Sequence, residues 1–443
     1  MTDYLAQRQA AGLGTDRNEL NAKFDALARH FGIEWLAAEG DNPLQILWKR
    51  RDALATNELL NFGDAVEGFG SVDPAWLKRQ VAQVKTGDEG NRSGAILELL
   101  GLNTFLAAGA KVVPSSGSNP GYDGVVELPG PSSLLVSIKN HGMTSHEKFF
   151  RRHAKELDDQ FEAWMTTNGK SGELRISSKH ALDTTAWTKL KQDVRSILAG
   201  QLDGSARSYQ VQGEWHIVLK AISAEFEPLS RRNSSSIFFI MAPAHKNEQN
   251  KFVEALRKGC ANIVKHTKDL PNDACRVLFV RLCASASIKN CTDWARDYFH
   301  AYPNEKVGLI ILYQAVVVNA PTQTSLSHYI LPILGPQFQS WSRPGQGVQR
   351  RLPNLTVLVG VVIGQPSRKV IQADGTQIPL DNVYTYQRGD IYRFYKLEGT
   401  GLEANLSNPA PGIMIHAEIE SPDCSSSVMK MIASEANELL LLP

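Results

Sequence analysis

The chain has 443 residues, a formal net charge of +1, 42% hydrophobic residues and 21% charged residues. That is the balance of a soluble globular protein with room for two or three domains. No apolar run approaches the roughly 18 residues needed to span a membrane. The N-terminus Met-Thr-Asp-Tyr-Leu-Ala-Gln-Arg lacks the charged-then-apolar build of a secretory signal, so a cytoplasmic location is expected. A near-neutral charge decides nothing about nucleic acid, because a basic cleft can be offset by acidic surface elsewhere.

Residues 1–88 read as a helical N-terminal domain. Leu20, Phe24, Leu27 and Phe31 form one apolar stripe of helical period, and Trp76, Val81 and Val84 mark another helix. Gly87–Gly90 reads as a linker, and Ser93 as the cap of a helix running to about Ala108. A short strand follows at Ala110–Pro114, then a Ser-Ser-Gly-Ser-Asn-Pro-Gly loop at 115–121.

The next stretch is a hairpin signal. Gly-Tyr-Asp-Gly-Val-Val-Glu-Leu, ending at Leu128, and Leu-Leu-Val-Ser-Ile-Lys-Asn, starting at Leu134, flank a Pro-Gly-Pro-Ser-Ser turn. Pairing Leu128 with Leu134 sets Asp123 opposite Lys139 and puts Asp123, Ser137 and Lys139 on one face. Beyond the hairpin, helices are expected over 145–167 and 183–200, and strands at Leu174–Ser178 and Trp215–Ile222. The span 89–235 is taken as one domain built around the hairpin. Apolar strands at Ile237–Met241, Val277–Cys283 and Val307–Val318, with helices at 246–267 and 287–300, predict a βαβαβ unit with a parallel sheet. They open a C-terminal α/β region, 236–443, whose remainder is strand- and turn-rich with a short helix near 425–439.

Hydrolysis of a phosphodiester needs a cation to polarise the phosphate and acidify a water. Hard cations such as magnesium take oxygen ligands, commonly one or two carboxylates. Asp123 offers a carboxylate, and Lys139 a charge able to orient water or neutralise phosphate. Glu98 is the only charged residue between Arg92 and Lys111 and lies among Ile96, Leu97, Leu99 and Leu100. A lone carboxylate in an apolar helix is costly to bury unless it is paired or binds a cation.

These residues resemble the core of the PD-(D/E)XK nuclease superfamily, the restriction-endonuclease-like fold. There a helix Glu, a strand Asp and an acidic-x-Lys on the paired strand are followed by a helix. The likeness covers roughly residues 92–165 through Glu98, Asp123 and Ser137-Ile138-Lys139. It implies a mixed-sheet α/β core flanked by helices, and cleavage of DNA, less often RNA, with magnesium or manganese. Glu98, Asp123 and the Ile138 carbonyl would hold the metal, and Lys139 would position the water. A role in restriction or antiphage defence follows from the resemblance alone, as a homo-oligomer or with a partner protein. Two positions depart from the pattern. Tyr122 replaces the usual Pro, and Ser137 stands where an acidic residue belongs. Glu127, Glu147 or Glu156 could supply the missing carboxylate. Alternatively, Ser137 marks an inactive nuclease fold kept for binding nucleic acid or a partner.

His141, Lys148, Arg151 and Arg152, with Lys155, are candidate phosphate contacts, although a solvated helix face gives the same pattern. Gln160 and Trp164 are similar to a Gln-x-x-x-Tyr element of some relatives. Arg350-Arg351 suggests a basic loop. There is no Gly-x-x-x-x-Gly-Lys-Ser/Thr loop and no Gly-x-Ser-x-Gly elbow. The five cysteines, Cys260, Cys275, Cys283, Cys291 and Cys424, form no Cys-x-x-Cys pair and read as reduced structural thiols.

Overall fold

The computed structural model describes residues 3–8, 16–50, 53–115, 121–129, 132–170, 172–200, 207–211, 214–221, 236–268, 274–319, 324–342, 355–357, 369–371, 377–379, 382–387, 391–393, 405–407, 414–421, 424–432 and 440–442. The fold is mixed α/β, with helices packed on sheets that contain both parallel and antiparallel pairs. No helix among the described residues is long and apolar enough to cross a membrane.

The chain opens with α1 (Arg17–Phe31), α2 (Ile33–Ala37), α3 (Pro43–Lys49), α4 (Ala53–Val72) and α5 (Pro74–Thr86). Asp73 caps α5 by accepting the Trp76 N–H at 2.9 Å, with Pro74 in the first turn, where its missing N–H costs nothing. α6 (Glu89–Leu106) starts earlier than expected. Asp88, not Ser93, is its cap, accepting the Asn91 N–H at 2.8 Å. The segment expected as a linker therefore shrinks to Gly87–Asp88, and α5 and α6 are consecutive, tightly joined helices.

β1 (Lys111–Pro114), β2 (Gly124–Glu127) and β3 (Ser133–His141) form an antiparallel meander. The chain then leaves this sheet through α7 (Ser145–Thr167), β4 (Gly172–Ser178), α8 (Thr184–Ala199), β5 (Arg207–Val211), β6 (Trp215–Ala221) and β7 (Ser236–Pro243). It returns through α9 (Glu248–His266) into β8 (Ala274–Leu282), α10 (Ile288–Ala301), β9 (Leu309–Asn319), β10 (Thr324–Leu334) and α11 (Pro336–Ser342). Further strands follow: β11 (Lys369–Ile371), β12 (Gln377–Pro379), β13 (Val383–Gln387), β14 (Ile391–Arg393), β15 (Asn405–Ser407), β16 (Met414–Ser421) and β17 (Cys424–Ile432).

The first sheet has the order β1-β2-β3-β8-β9-β10, with β8 parallel to β3 and β9 parallel to β8. The second has the order β13-β7-β4-β6-β5. This corrects the expected βαβαβ unit. Only β8-α10-β9 is such a unit, because β7 lies parallel to β4 in the second sheet and α9 carries the chain back to the first. The helix expected near 425–439 is also corrected over its first part, since 424–432 is strand β17 paired with β16, while 433–439 lie outside the described residues. Its Cys-Ser-Ser-Ser start has little helix propensity, and pairing supplies its backbone with partners.

Two cores result. Apolar residues of α1 to α6 and of the first sheet form one continuous cluster, and α7, α8 and the second sheet form another. The two meet where Glu248, at the start of α9, accepts the Thr144 hydroxyl at 2.6 Å and the Tyr384 hydroxyl. Cys260, Cys275, Cys283 and Cys291 are free and buried, as expected of packing thiols.

The segment Leu440–Leu442 is buried in the first core. The Leu441 N–H donates to Glu58 Oε2 of α4 at 2.8 Å, and Arg281 of β8 donates to the Leu442 carbonyl and, at 3.1 Å, to Asn140 of β3. Burial pushes the Glu58 carboxyl up and the Arg281 guanidinium down from their ordinary values. The end of the chain thus straps the helical layer to the sheet. Leu441 is 2% exposed and Leu334 is 56% exposed. Leu441→Ala is therefore expected to cost about 2–5 kcal/mol in urea unfolding, whereas Leu334→Ala stays within about 0.5 kcal/mol of wild type. Equal effects of the two changes would show that the strap carries no stability.

Candidate functional site

The site forms where β2 and β3 part. Their ladder ends at Gly124↔Val136, although β3 runs on to His141. The observed register pairs Gly124 with Val136, a shift of two residues from the expected pairing, so Asp123 lies just beyond the ladder and not opposite Lys139. The Leu128 N–H bonds to the Ser132 carbonyl at 3.0 Å, so the hairpin closes one pair earlier than supposed. A shift of two preserves faces, since side chains alternate with period two.

Asp123 stays in the ladder through its backbone. Its N–H donates to the Val136 carbonyl at 2.8 Å, and its carbonyl accepts the Ser115 N–H at 2.9 Å. The next β3 donor on that side, the Ile138 N–H, has no β2 residue to meet. The Asp123 carboxylate turns into the sheet plane and accepts it at 2.5 Å through Oδ2. Such charge-assisted bonds are short and strong. Within a strand, the N–H and C=O of one residue point to the same side. The Ile138 carbonyl therefore also faces the Asp123 edge.

Two close approaches set Glu98 beside this edge. A Cβ on Gly101 would stand 2.9 Å from Ile138 Cδ1, and one on Gly124 would stand 2.7 Å from Leu102 Cδ2. α6 therefore lies against the Gly124–Ile138 face, with Glu98 one turn before Gly101 and Leu102 on the same side of the helix. The opposite face, with Ser137 and its β8 partner Leu278, is covered by α9, where a Gly259 Cβ would stand 2.9 Å from Leu278. Asp123 is partly buried, with its carboxylate on the Ile138 N–H at the sheet edge between the two faces. Glu98 on α6 and Lys139 on the α9 side of β3 approach from opposite sides of the sheet, and the charge of each is felt at the site.

Electrostatics tie the three together. Burial raises the Glu98 carboxyl to about 7, with the Asp123 charge adding to the rise, and with Gln80 and Lys139 opposing it. Asp123 is raised chiefly by burial, opposed by Lys139, the Ile138 N–H and the Ser137 hydroxyl. Two carboxylates against one ammonium leave a site short of positive charge. The Ser137 side chain is fully buried; its hydroxyl eases the Asp123 carboxyl downward but makes no hydrogen bond of ordinary geometry among the described residues.

Among the described residues, no group of three or more His, Cys, Asp or Glu side chains could hold a metal ion. A cation here would have to use Asp123 and Glu98, completed by the Ile138 carbonyl, water and substrate oxygens. That all-oxygen set suits magnesium, which is commonly held by one or two carboxylates and keeps several waters. Asp123 Oδ2 is occupied by the Ile138 N–H, and Glu98 Oε2 accepts Gln80 Nε2 at 2.7 Å. Among the described residues, no other hydrogen bond of ordinary geometry is made by Asp123 Oδ1 or Glu98 Oε1, which leaves one oxygen of each carboxylate to face a cation.

The other candidates do not join this cluster. Glu127 faces Ser133 at the closed end of the hairpin and pairs with Lys111 at 2.8 Å. Glu147 is buried and bonded to Arg151 at 3.1 Å, while Glu156 pairs with Lys191 at 2.6 Å and His153 at 2.9 Å. The apolar stripe of α7 belongs to the second core, with Trp164 packed against it. Gln160 accepts Arg195 at 3.3 Å. Of the basic candidates, Arg151 is held by Glu147, Arg152 stacks over Phe149 at 5.5 Å, and Lys148 is exposed. His141 packs edge-on against Phe252 at 5.1 Å, and burial lowers its pKa. Arg350-Arg351 lies outside the described residues. Gln80 was missed because an isolated Gln in an amphipathic helix carries no signal of its tertiary partner.

No protein-family model, curated protein or solved structure matches this chain.

The Glu98 environment sets a pH dependence. A carboxyl whose folded-state pKa is raised binds its proton more tightly folded than unfolded, so stability falls as pH rises between the unfolded and folded values. For Glu98 that window runs from 4.5 to about 7, and the loss is on the order of 3 kcal/mol. The stability difference between Glu98→Gln and wild type, in metal-free buffer, is expected to grow in favour of the variant by that amount from pH 4 to pH 8. A difference that stays flat over this range would contradict the placement of Glu98.

Proposed function

We propose that this chain is a cytoplasmic, metal-dependent nuclease with a restriction-endonuclease-like core. The observation that carries the proposal is the Asp123 carboxylate, fixed on the Ile138 N–H where β2 and β3 part, with the charges of Glu98 and Lys139 acting on it. The element order agrees. A helix with Glu98, the β1-β2-β3 meander, then α9 and the parallel strand β8 give the helix–strands–helix sequence of that fold. In this view α7 to β7 are an insertion between β3 and α9.

Asp123 and Glu98 would hold the divalent cation, which when bound supplies a Lewis acid and a more acidic water. Asp123 cannot drift, because its second oxygen is held by the sheet. Lys139, two residues beyond Ser137 on the same strand face, would orient the attacking water and offset charge developing on the phosphate. The substrate best matching the resemblance is duplex DNA, cleaved internally, in restriction or antiphage defence. A specific observation favours a second reading, a binding-only nuclease fold. Ser137 puts a buried hydroxyl, in no hydrogen bond of ordinary geometry among the described residues, where the resemblance expects a third carboxylate.

Plasmid, linear duplex, single-stranded DNA and RNA, each with magnesium or manganese, separate the two. Cleavage of one of them is expected, abolished by chelator. Lys139→Ala is expected to lower turnover by at least about 100-fold, with substrate binding and melting temperature near wild type. Nucleic acid binding without cleavage would support the binding-only fold. Full activity of Lys139→Ala would remove Lys139 from the mechanism.

A further inference from the structure

Glu98 is held by the N-terminal helical layer rather than by its own helix or the sheet. Its Oε2 accepts the Gln80 side-chain amide at 2.7 Å, across the α5–α6 contact. Gln80 is itself well anchored. It lies one turn after Trp76 and one turn before Val84, both buried in the first core. Farther along α5, Lys85 donates to the Phe31 carbonyl at 3.1 Å and stands over the Trp35 ring at 5.3 Å. The Gly87 N–H closes the helix on the Gln83 carbonyl at 2.8 Å.

The chemistry of the donor matters. A Lys or Arg at this position would neutralise Glu98 and compete with any cation for it. A neutral amide donor fixes one carboxylate oxygen, leaves the charge in place and leaves the other oxygen free. That is how hydrogen-bond partners behind metal-binding carboxylates act. The Asp123 carboxylate is treated in the same way, by the Ile138 main-chain N–H. Among the described residues, each carboxylate therefore has one oxygen tied by a neutral N–H and the other in no hydrogen bond of ordinary geometry.

We propose that Gln80 is a positioning residue that aims Glu98 at the cation beside Asp123, making the N-terminal helices part of the catalytic apparatus. This role rests on the metal-dependent function proposed above. The fixed geometry of α5 against α6 then sets where Glu98 points, and the Gly87–Asp88 junction keeps the two helices in register.

The test compares full-length wild type with Gln80→Ala, Gln80→Met and Gln80→Lys, using Mn2+ binding by electron paramagnetic resonance and the Mg2+ dependence of cleavage. Gln80→Met keeps the side-chain length and apolar stem, so it reports the missing amide even where the Ala variant folds poorly. The Ala and Met variants are expected to need roughly 10–100-fold more metal for half-maximal binding and activity. Their turnover at saturating metal should return to within a few-fold of wild type. Gln80→Lys is expected to bind no Mn2+ in the range that saturates wild type. Gln83→Ala, an exposed change one turn along, should leave the metal requirement unchanged. A purely structural role would lower the melting temperature without moving the metal titration, and that result overturns the proposal. Wild type is measured first. If it neither binds Mn2+ nor cleaves, the nuclease function fails and the role of Gln80 fails with it. If it does both and the Gln80 variants titrate like wild type, the role of Gln80 alone fails.

Discussion

The site depends on one unpaired backbone donor. β3 outruns β2, so the Ile138 N–H reaches the sheet edge with no strand to receive it. A buried N–H without an acceptor costs about 1–3 kcal/mol, and here a carboxylate meets the need. That bond holds the Asp123 carboxylate at the sheet edge between the two faces. Glu98 on α6 and Lys139 on the α9 side of β3 approach from opposite faces, and the charge of each is felt at the site.

The helical layer supplies the remaining constraint. α6 can approach β2 and β3 closely because Gly101 and Gly124 present no side chain at the contact. Glu98 is thereby partly buried, and its carboxyl is raised to about 7, chiefly by that burial and further by the Asp123 charge. A carboxyl shifted in this way marks a candidate functional site. The same layer carries Gln80, and it is tied to the sheet again by Glu58, Arg281 and the end of the chain at Leu440–Leu442. The N-terminal helices and the sheet therefore share one core rather than lying side by side.

The second sheet has a different character. Its helices α7 and α8 satisfy their charges mostly within themselves, through Glu147–Arg151, Lys155–Asp159 and Lys191–Glu156. Such pairs, where exposed, contribute little each, but they do leave few free cations on the α7 surface that the sequence had offered for phosphate. The joint with the first sheet includes the polar contacts of Glu248 with Thr144 and Tyr384.

Local pattern by itself determined the hairpin, the isolated carboxylate of Glu98, and the common face of Ser137 and Lys139. Alternation fixes a side chain's face, and a lone charge in an apolar helix is conspicuous in any context. It did not determine the register, because the number of residues the turn absorbs is a property of the closed loop. The error was two residues, so the faces survived it. Nor could it show which sheet receives which helix. Phe150, Ala154, Leu157, Phe161 and Met165 announce an amphipathic α7, but the stripe is as compatible with the first sheet as with the second. Only the tertiary structure assigned α7 to the second sheet and set α9 on the face opposite α6. It also brought Gln80, 18 residues before Glu98, to the carboxylate. The physical reason is range. Propensity, capping and periodicity act within a few residues, whereas the site is made of contacts between elements that packing alone brings together.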